Sequence, residues 1–338
     1  MLRSGPSRIS FRALLVSLVS LLGLVLIPVE SRAESVPRYF GRKATLVGTP
    51  GPDTLYGRLD KVDVIVALGG DDILTGGDGD YSARTRDFLC GGPGDDSFGN
   101  GLYRDLASGG AGDDSLENGS GNDSLRGGPG NDEFNIHGSA DQFGEGRGND
   151  TLWGGPGDDT IFEQTGADRL FGGSGSDRLF DSGLAANTLV GGPGNDDLSA
   201  HRMADHILRG GRGSDQGYVG CRQGVVVDLR EHALTCGTRP LLVQVLAMED
   251  FLGTFYKDVL LGTDGENRLL GNSRSDHIVG RGGRDTLEGS RGSDALEGGR
   301  GQDHLDGGGP VNTNDGGSGL DFCVRPDSDG GALRCEEP

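Results

Sequence analysis

The sequence predicts a repeat protein, built from many copies of one short unit, rather than a globular domain with one large core. Glycine makes up 66 of the 338 residues, about 20% against an ordinary share of about 7%. Apolar residues make up 33% and aromatic residues 6%, too little for one conventional core in a chain of this length. Such a composition is typical of disordered segments unless the apolar residues recur at a fixed period, as they do here.

The chain is strongly acidic. It carries 52 Asp and Glu against 31 Lys and Arg, a formal net charge of −21. Nucleic acids and anionic membrane surfaces bind clusters of Lys and Arg. We therefore expect no nucleic-acid partner, and the charge favours cationic partners instead.

Residues 1–33 have the pattern of a signal peptide. Arg3, Arg8 and Arg12 form a basic region before the apolar stretch 13–27, and residues 31–33 (Ser-Arg-Ala) place small residues at the −3 and −1 positions of a cleavage site. We expect cleavage after Ala33, export to the extracellular space and no transmembrane segment in the mature chain. The apolar stretch is shorter than the ~20 residues of a membrane span, and an uncleaved anchor is the alternative.

A period of nine residues runs along the rest of the chain. Aspartate stands at eleven consecutive positions nine residues apart, namely Asp87, Asp96, Asp105, Asp114, Asp123, Asp132, Asp141, Asp150, Asp159, Asp168 and Asp177. After one-residue shifts the series continues through Asn187, Asp196, Asp205 and Asp215, and a second run holds Asp258, Asn267, Asp276, Asp285, Asp294, Asp303, Asn312 and Asp321. An irregular first run has Asp53, Asp63 and Asp72. The period predicts an array of nonapeptides.

An apolar residue follows these acids by two positions. The apolar column of the first run is Phe98, Ala107, Leu116, Leu125, Phe134, Phe143, Leu152, Ile161, Leu170 and Leu179, and that of the second run is Leu260, Leu269, Ile278, Leu287, Leu296 and Leu305. Glycines precede the acid, most completely in Gly91-Gly92-Pro93-Gly94-Asp95-Asp96. We expect the column to face inward, so that stacked repeats build a narrow continuous core.

This unit resembles the RTX, or haemolysin-type calcium-binding, nonapeptide G-G-x-G-x-D-x-U-x, in which U is a large apolar residue. The resemblance covers residues 48–324 apart from two insertions. It implies an all-β fold, a parallel β-roll in which six residues turn and three form a short strand. Two nonapeptides would make one coil of 18 residues, and the coils would stack in two or three blocks.

The chemistry of the unit also fits calcium. Glycine brings backbone carbonyls close together, and Ca²⁺ takes six to eight oxygen ligands from carboxylates and carbonyls. One apolar residue in nine makes a thin core, so we expect several calcium ions to supply much of the stability and the chain to fold when it binds them. The expected metal ligands are Asp53, Asp72, Asp96, Asp114, Asp123, Asp132, Asp150, Asp159, Asp177, Asp196, Asp215, Asp285, Asp294, Asp303 and Asp321.

The spacing also predicts which edge of the roll carries the best turns. Turns 18 residues apart would stack on one edge. Complete or nearly complete turns start at residues 91, 109, 127 and 145, and then at 154, 172, 191 and 210. Counting motifs, the main line of calcium turns should change edge near residues 146–157.

Composition shifts divide the chain into six parts. After the signal peptide 1–33 come an N-terminal lead-in 34–47 and a first roll 48–220 with a loop insertion at 81–86. Residues 221–252 break the period, contain strand-like apolar runs and are predicted to be a strand insertion or cap. A second roll 253–324 and a C-terminal tail 325–338 complete the chain.

Five cysteines in an exported chain indicate oxidised pairs. Cys221 and Cys236 flank a short apolar run, and Cys323 and Cys335 lie close together near the C-terminus. We expect the pairs 221–236 and 323–335, the second of which would cap the roll and its tail, with Cys90 left as a free thiol. The alternative is that Cys323 and Cys335 stay apart or pair with Cys90.

No catalytic motif of the HExxH, GxSxG or GxxxxGK[ST] type occurs in the sequence. Paired acids such as Asp95–Asp96 recur with the repeat, so we expect them to be structural rather than catalytic. His206, His277 and His304 follow the calcium position and should lie on exposed strand faces. We therefore expect no enzyme, no catalytic residue and no cofactor other than Ca²⁺.

The predicted function is that of a secreted calcium-binding repeat protein with a structural or surface-interaction role. One alternative is a secreted β-solenoid enzyme that acts on polysaccharide. Another is a calcium-dependent adhesin, whose partners would be cell-surface glycans or envelope components. The exposed arginines of that adhesin would be Arg126, Arg147, Arg169, Arg178, Arg209 and Arg212.

Overall fold

The structure, a computed structural model, describes the greater part of the repeat region. The described residues are 38–58, 61–77, 86–99, 101, 103–117, 119–134, 148–201, 204–237, 239–309, 311–324 and 334–335. The predicted signal peptide and residues 81–85 of the predicted loop insertion lie outside them. Within these segments, no helix has the length and apolar character needed to cross a membrane.

The described part of the chain is all β. Its strands up to the middle of the first roll are β1 (Arg38–Tyr39), β2 (Arg42–Lys43), β3 (Leu46–Val47), β4 (Thr54–Tyr56), β5 (Val64–Val66), β6 (Ile73–Thr75), β7 (Phe88–Pro93), β8 (Ser97–Gly99), β9 (Leu106–Ala111), β10 (Ser115–Glu117), β11 (Ser124–Arg126) and β12 (Glu133–Phe134). The rest of the first roll forms β13 (Thr151–Pro156), β14 (Thr160–Glu163), β15 (Arg169–Ser174), β16 (Arg178–Asp181), β17 (Thr188–Pro193), β18 (Asp197–His201), β19 (Ile207–Arg212) and β20 (Gln216–Gly220). The remaining strands are β21 (Val225–Asp228), β22 (Ala233–Cys236), β23 (Arg239–Leu246), β24 (Asp250–Leu252), β25 (Val259–Leu261), β26 (Arg268–Leu270), β27 (His277–Gly283), β28 (Thr286–Glu288), β29 (Ala295–Gly301), β30 (His304–Asp306), β31 (Thr313–Ser318) and β32 (Phe322–Val324).

The chain winds between two long sheets. The smaller sheet has 14 strands in the order β4, β6, β8 and so on by even numbers to β20, then β24 to β32 by even numbers. The larger sheet has 16 strands and runs from β3 by odd numbers to β19, then through β23, β22, β21 and β25 to β31. Successive coils pair in parallel, as β10 does with β8 and β12. The predicted parallel β-roll, with about 14 coils, is confirmed.

The predicted apolar column forms the core. In strand-register pairs such as Leu116 with Phe98 and Leu125 with Leu152, one inward side chain stacks on the next. Apart from Phe143, which lies outside the described residues, every member of the column is at most 2% exposed. These side chains form one cluster that runs through both rolls. The thin core therefore extends along the described roll without a break.

The predicted change of edge is wrong. We call the turns that lead from the larger to the smaller sheet the first edge and those that lead back the second edge. Turns 91–96, 109–114 and 127–132 lie on the first edge, and turn 154–159 lies there too, because β12 pairs directly with β14. That coil is 27 residues long instead of 18. Its additional nine residues fall between 134 and 148, outside the described residues. Because nine residues are one full period, the spacing of the acids does not reveal the longer coil.

Residues 221–252 lie inside the roll rather than at its end. Strands β21, β22 and β23 form an antiparallel meander, and they occupy the place in the larger sheet between β19 and β25. In the smaller sheet β24 follows β20 directly. The disulfide between Cys221 and Cys236, with Cα atoms 5.9 Å apart, joins the segment before β21 to the end of β22 and so closes the first hairpin of the meander.

The second disulfide lies at the last described coil. Cys323 occupies the inward position of β32 and is bonded to Cys335, with Cα atoms 5.8 Å apart. Next to it, Arg334 Nε donates to Asp315 Oδ1 at 2.7 Å. Cys90 is a free, half-buried thiol, and burial raises its pKa to about 11.

We predict that the Cys323–Cys335 bridge stabilises the end of the roll. It closes a loop of 12 residues, which contributes on the order of 2–3 kcal/mol in the chain-entropy model. The double variant Cys323→Ser/Cys335→Ser should therefore lose about that much free energy of unfolding in denaturant titrations. Peptide mapping without reduction should recover the 323–335 link, and Cys90→Ser is the control that keeps it. Free thiols at both positions in the exported protein would contradict the prediction.

Candidate metal centre

The complete six-residue turns have glycine at their second and fourth positions, where the backbone is left-handed. In turn 109–114, Gly110 and Gly112 have φ angles of +137° and +138°, which favour glycine. A Cβ on Gly110 would lie 1.8 Å from the carbonyl oxygen of Gly92, and one on Gly112 would lie 2.2 Å from that of Gly94. The glycines therefore let the backbone of one coil approach the carbonyls of the coil before it.

Glycine at the first position makes room for the acid that ends the turn. A Cβ on Gly109 would lie 2.0 Å from Asp114 Oδ2. At Gly172 the corresponding distance to Asp177 Oδ2 is 2.2 Å. The carboxylate therefore folds back into its own turn, beside backbone that carries no side chain.

The acids stack in a ladder, which we call the inner ladder. The N–H of Asp96 donates to Asp114 Oδ1 at 2.9 Å, and the N–H of Asp114 donates to Asp132 Oδ1 at 2.9 Å. On the first edge this pattern joins Asp53, Asp72, Asp96, Asp114, Asp132, Asp159, Asp177, Asp196 and Asp215, and later Asn267, Asp285, Asp303 and Asp321. On the second edge it joins Asp63, Asp87, Asp105, Asp123, Asp150, Asp168 and Asn187, and later Asp258, Asp276, Asp294 and Asn312.

The other carboxylate oxygen, Oδ2, has no protein donor in many of these turns. Buried Oδ2 atoms of ladder acids without a hydrogen-bond partner belong to Asp72, Asp96, Asp114, Asp123, Asp132, Asp159, Asp168, Asp177, Asp196, Asp215, Asp276, Asp285, Asp294 and Asp303. A buried acceptor without a donor costs about 1–3 kcal/mol. So many orphaned oxygens in equivalent places fit the binding of a cation, because a cation can satisfy buried acceptors that no protein donor reaches.

Burial and mutual repulsion disfavour the ionised form of these acids when no cation is present. Burial raises the pKa of Asp114 to about 8, and the carboxylates of Asp132 and Asp96 on the adjacent coils add to the rise. The pKa values of Asp159 and Asp177 rise to about 7 for the same two reasons. A divalent cation reverses this balance, because it is attracted to the same carboxylates that repel each other.

The donor set fits calcium. Carboxylate Oδ2 atoms and closely spaced glycine carbonyls are all oxygen ligands, which Ca²⁺ prefers. In a glycine turn the ladder acid and the carbonyls around it would hold the ion. The ion would supply the positive charge that the buried column lacks.

Three turns are built differently, because threonine stands at their second position. Thr49 donates its N–H and hydroxyl to Asp53 Oδ2, and Thr254 donates its N–H to Asp258 Oδ2 at 2.6 Å. Thr263 donates in the same way to Asn267 Oδ1. These turns satisfy the inward oxygen without a cation, and this group includes the expected ligand Asp53.

The structure brings most of the expected metal ligands together on one edge. Twelve of them lie on the first edge, and Asp123, Asp150 and Asp294 lie on the second. Asp168 and Asp276 were not among the expected ligands, yet their Oδ2 atoms are orphaned in the same way. Asp168 and Asp276 follow the period, but their turns lack most of the glycines, so the glycine pattern did not predict them as ligands.

The histidines divide into two groups. His277 and His304 lie on exposed strand faces, where His277 contacts Glu297 and His304 stacks on Phe322. The expectation for His206 is wrong, since this residue is fully buried. Its Nδ1 accepts the N–H of Asn187 at 3.3 Å and so takes the place of a ladder acid. The coil from 187 to 206 has 19 residues, so the true ladder position lies one residue after the acid that the period picks out.

The paired acids have a structural explanation. The first acid of each pair belongs to an exposed outer ladder: the N–H of Asp113 donates to Asp95 Oδ1, and the N–H of Asn131 donates to Asp113 Oδ1, both at 2.8 Å. The second acid of each pair belongs to the inner ladder. The two carboxyl groups therefore serve two separate stacks rather than one reacting bond.

Comparison with known protein families supports this assignment. The RTX calcium-binding nonapeptide repeat (4 copies) matches residues 59–80, 100–135, 146–162 and 181–202, and overlapping matches cover 252–323. Together these segments span half of the chain. A search of curated proteins returned no match. The repeat geometry and the family match agree, and the chain belongs to the RTX calcium-binding nonapeptide repeat family.

Proposed function

We propose that this chain is a secreted protein that folds when it binds extracellular calcium and then serves a structural or surface-interaction role. The observation that carries the proposal is the row of buried Oδ2 atoms without donors in the glycine turns. Most of these atoms lie beside a glycine whose missing side chain leaves room for the carboxylate, namely those of Asp96, Asp114, Asp132, Asp159, Asp177, Asp196, Asp215, Asp276, Asp285, Asp294 and Asp303.

Electrostatics explains why folding should wait for the ion. Neighbouring strands lie about 4.8 Å apart, and two ionised groups at that distance repel by about 3–4 kcal/mol at an effective dielectric constant of about 20. The inner ladder stacks such groups coil after coil. Without calcium the chain must either neutralise the column or stay open, and with calcium the same column becomes the main attraction between coils.

The compartment fits the affinity expected of such sites. Extracellular calcium modules bind in the range of about 10⁻⁴–10⁻³ M, well above the calcium of a cell interior. The two disulfides are typical of oxidising compartments. These features support a chain that stays unfolded before export and folds afterwards.

A second candidate function is calcium-dependent adhesion to glycans. The outer face of the smaller sheet carries a row of rings, one on each of four coils: Phe162, Phe180, His201 and Tyr218, with centroids 5.3, 4.6 and 5.1 Å apart. Phe162 is 39% exposed. Such a row offers flat apolar faces to the faces of sugar rings. The enzyme alternative gains no support from the acid pairs, because the two ladders account for them.

We predict that calcium folds the chain. Far-ultraviolet circular dichroism of the chelated protein should gain β signal when millimolar calcium is added, because the ion neutralises the inner ladder. Magnesium should not substitute, since it demands near-ideal octahedral geometry and releases its water reluctantly. Identical spectra in chelator and in calcium would contradict the proposed function.

We predict that ladder acids differ in their calcium contribution according to their partners. Asp177→Asn removes charge from an orphaned carboxylate and should lower the number of bound ions, with a loss of about 1–3 kcal/mol of stability in calcium. Asp63→Asn is the matched control, because Asp63 is just as buried but its Oδ2 accepts the N–H of Arg58, and its Oδ1 accepts from Arg58 Nη2 at 2.6 Å. Calcium counted by equilibrium dialysis should fall in the first variant alone. Equal losses in both would show that position, and not the missing donor, sets calcium binding.

The adhesion candidate predicts that the aromatic row binds glycans only in the folded protein. On a glycan array, binding in calcium should fall about tenfold in Phe162→Ala and Phe180→Ala, and chelator should abolish it. Phe322→Ala removes the stack with His304 on the same sheet but far from the row, and it is the control. Binding that is equally strong in all three variants would remove the row from consideration.

A further inference from the structure

A cluster of three buried acids lies on the second edge, away from the line of glycine turns. Each of Asp150, Glu163 and Asp168 offers a carboxylate oxygen, and the three oxygens lie within 4.8 Å of one another. All three residues are at most 1% exposed. Asp150 and Asp168 are successive members of the inner ladder, while Glu163 is the last residue of β14.

Glu163 stands where the repeat has its first glycine. In the turns of the first edge, that glycine leaves room for the ladder acid to fold back. In the turn from 163 to 168 a carboxylate occupies this space instead, and Glu163 Oε2 accepts the N–H of Gln164 at 3.0 Å. The change replaces a neutral backbone site by a third negative side chain, so it creates a different donor set.

Asp168 provides an independent sign of a ligand. Its Oδ1 accepts the N–H of Asp150 at 2.8 Å, and its N–H donates to Asn187 Oδ1. Its Oδ2 is buried and has no hydrogen-bond partner. The side chain is therefore held in place by one oxygen, and the other is left unsatisfied in a group of carboxylates.

We propose that Asp150, Glu163 and Asp168 form a separate calcium site, bound by side-chain carboxylates rather than by the glycine carbonyls of the repeat. Three carboxylates bring three negative charges to one hard cation. Calcium affinity rises with the number of charged ligands and with the rigidity of the site, and all three acids are fixed by strand or ladder. This site should therefore fill at lower free calcium than the glycine turns. The proposal depends on the proposed function only for the identity of the ion.

The next coil supplies a matched control. Asp181 pairs in register with Glu163 on the adjacent strand and is equally buried. Its Oδ1 accepts the N–H of Gly183 at 2.8 Å, and its Oδ2 lies 3.8 Å from Nδ1 of the buried His206. It is thus a buried acid at the same point of the repeat, but it lies outside the three-carboxylate cluster.

The test is a calcium count on the full chain at buffered free calcium, with metal analysis of the dialysed protein. We expect the wild type to retain one ion at a free calcium at least tenfold below that needed for the rest. Glu163→Gln should lose that ion and keep the others, whereas Asp181→Asn should keep it. Glu163→Gly, which restores the glycine of the repeat, serves as a second variant should the amide impair folding, and it too should lose the early ion.

Several outcomes overturn the proposal. One is a Glu163→Gln variant that binds as many ions as the wild type at every calcium concentration. Another is a variant that loses all its ions together, which would mean that no separate site exists. A third is loss of the early ion in Asp181→Asn as well, since that would point to general acidity rather than to the cluster. If calcium changes neither the spectrum nor the metal content of the wild type, the proposed function itself fails, and that result is distinguishable from the other three.

Discussion

The stack of carboxylates along each edge is the feature on which the rest of the structure depends. Each ladder acid uses Oδ1 to accept the backbone N–H of the equivalent residue one coil earlier, as Asp114 does from Asp96. This bond fixes the register between coils more directly than the thin core does, because it ties the end of one turn to the end of the next. The same arrangement concentrates negative charge in a column from which water is excluded. The ladder therefore fixes the register between coils, but its carboxylates repel each other until a cation binds.

That arrangement requires glycine in the turns. A side chain on Gly109 would collide with Asp114 Oδ2, and one on Gly110 would collide with the carbonyl of Gly92. These positions must therefore carry no side chain, so that the carboxylate fits into the turn and adjacent coils can come close together. Where a residue other than glycine takes the first position, its side chain enters the carboxylate's space, and in the turn of Glu163 the entering group is itself a carboxylate. The chemistry of each turn is thus decided by one or two positions.

Much of this could be predicted from the sequence, since both the inward column and the ladder repeat every nine residues. Spacing alone identifies Leu116 as an inward core residue and Asp114 as a ladder acid. The period fails where a coil changes length. The additional nine residues between 134 and 148 reverse the assignment of edges, and the extra residue before His206 moves the ladder by one. A spacing rule records distance along the chain, whereas edge and ladder membership depend on which strands pair. Glu163 could not be predicted as a ligand for a related reason, because only the fold shows that it lies close to Asp150 and Asp168.

Ladder residues differ in whether the protein itself satisfies their inward oxygen. Threonine turns supply donors at Asp53, Asp258 and Asn267, and the backbone N–H groups of Arg58 and Gly77 do the same for Asp63 and Asp87. Glycine turns leave the corresponding Oδ2 buried without a donor, even at Asp215, the last ladder acid before the meander 221–252. The contrast therefore depends on the composition of each turn and not on its distance from a boundary of the repeats. A turn with its own donor meets the hydrogen-bonding requirement of a buried carboxylate by itself, so the need for a cation falls on the turns that lack one.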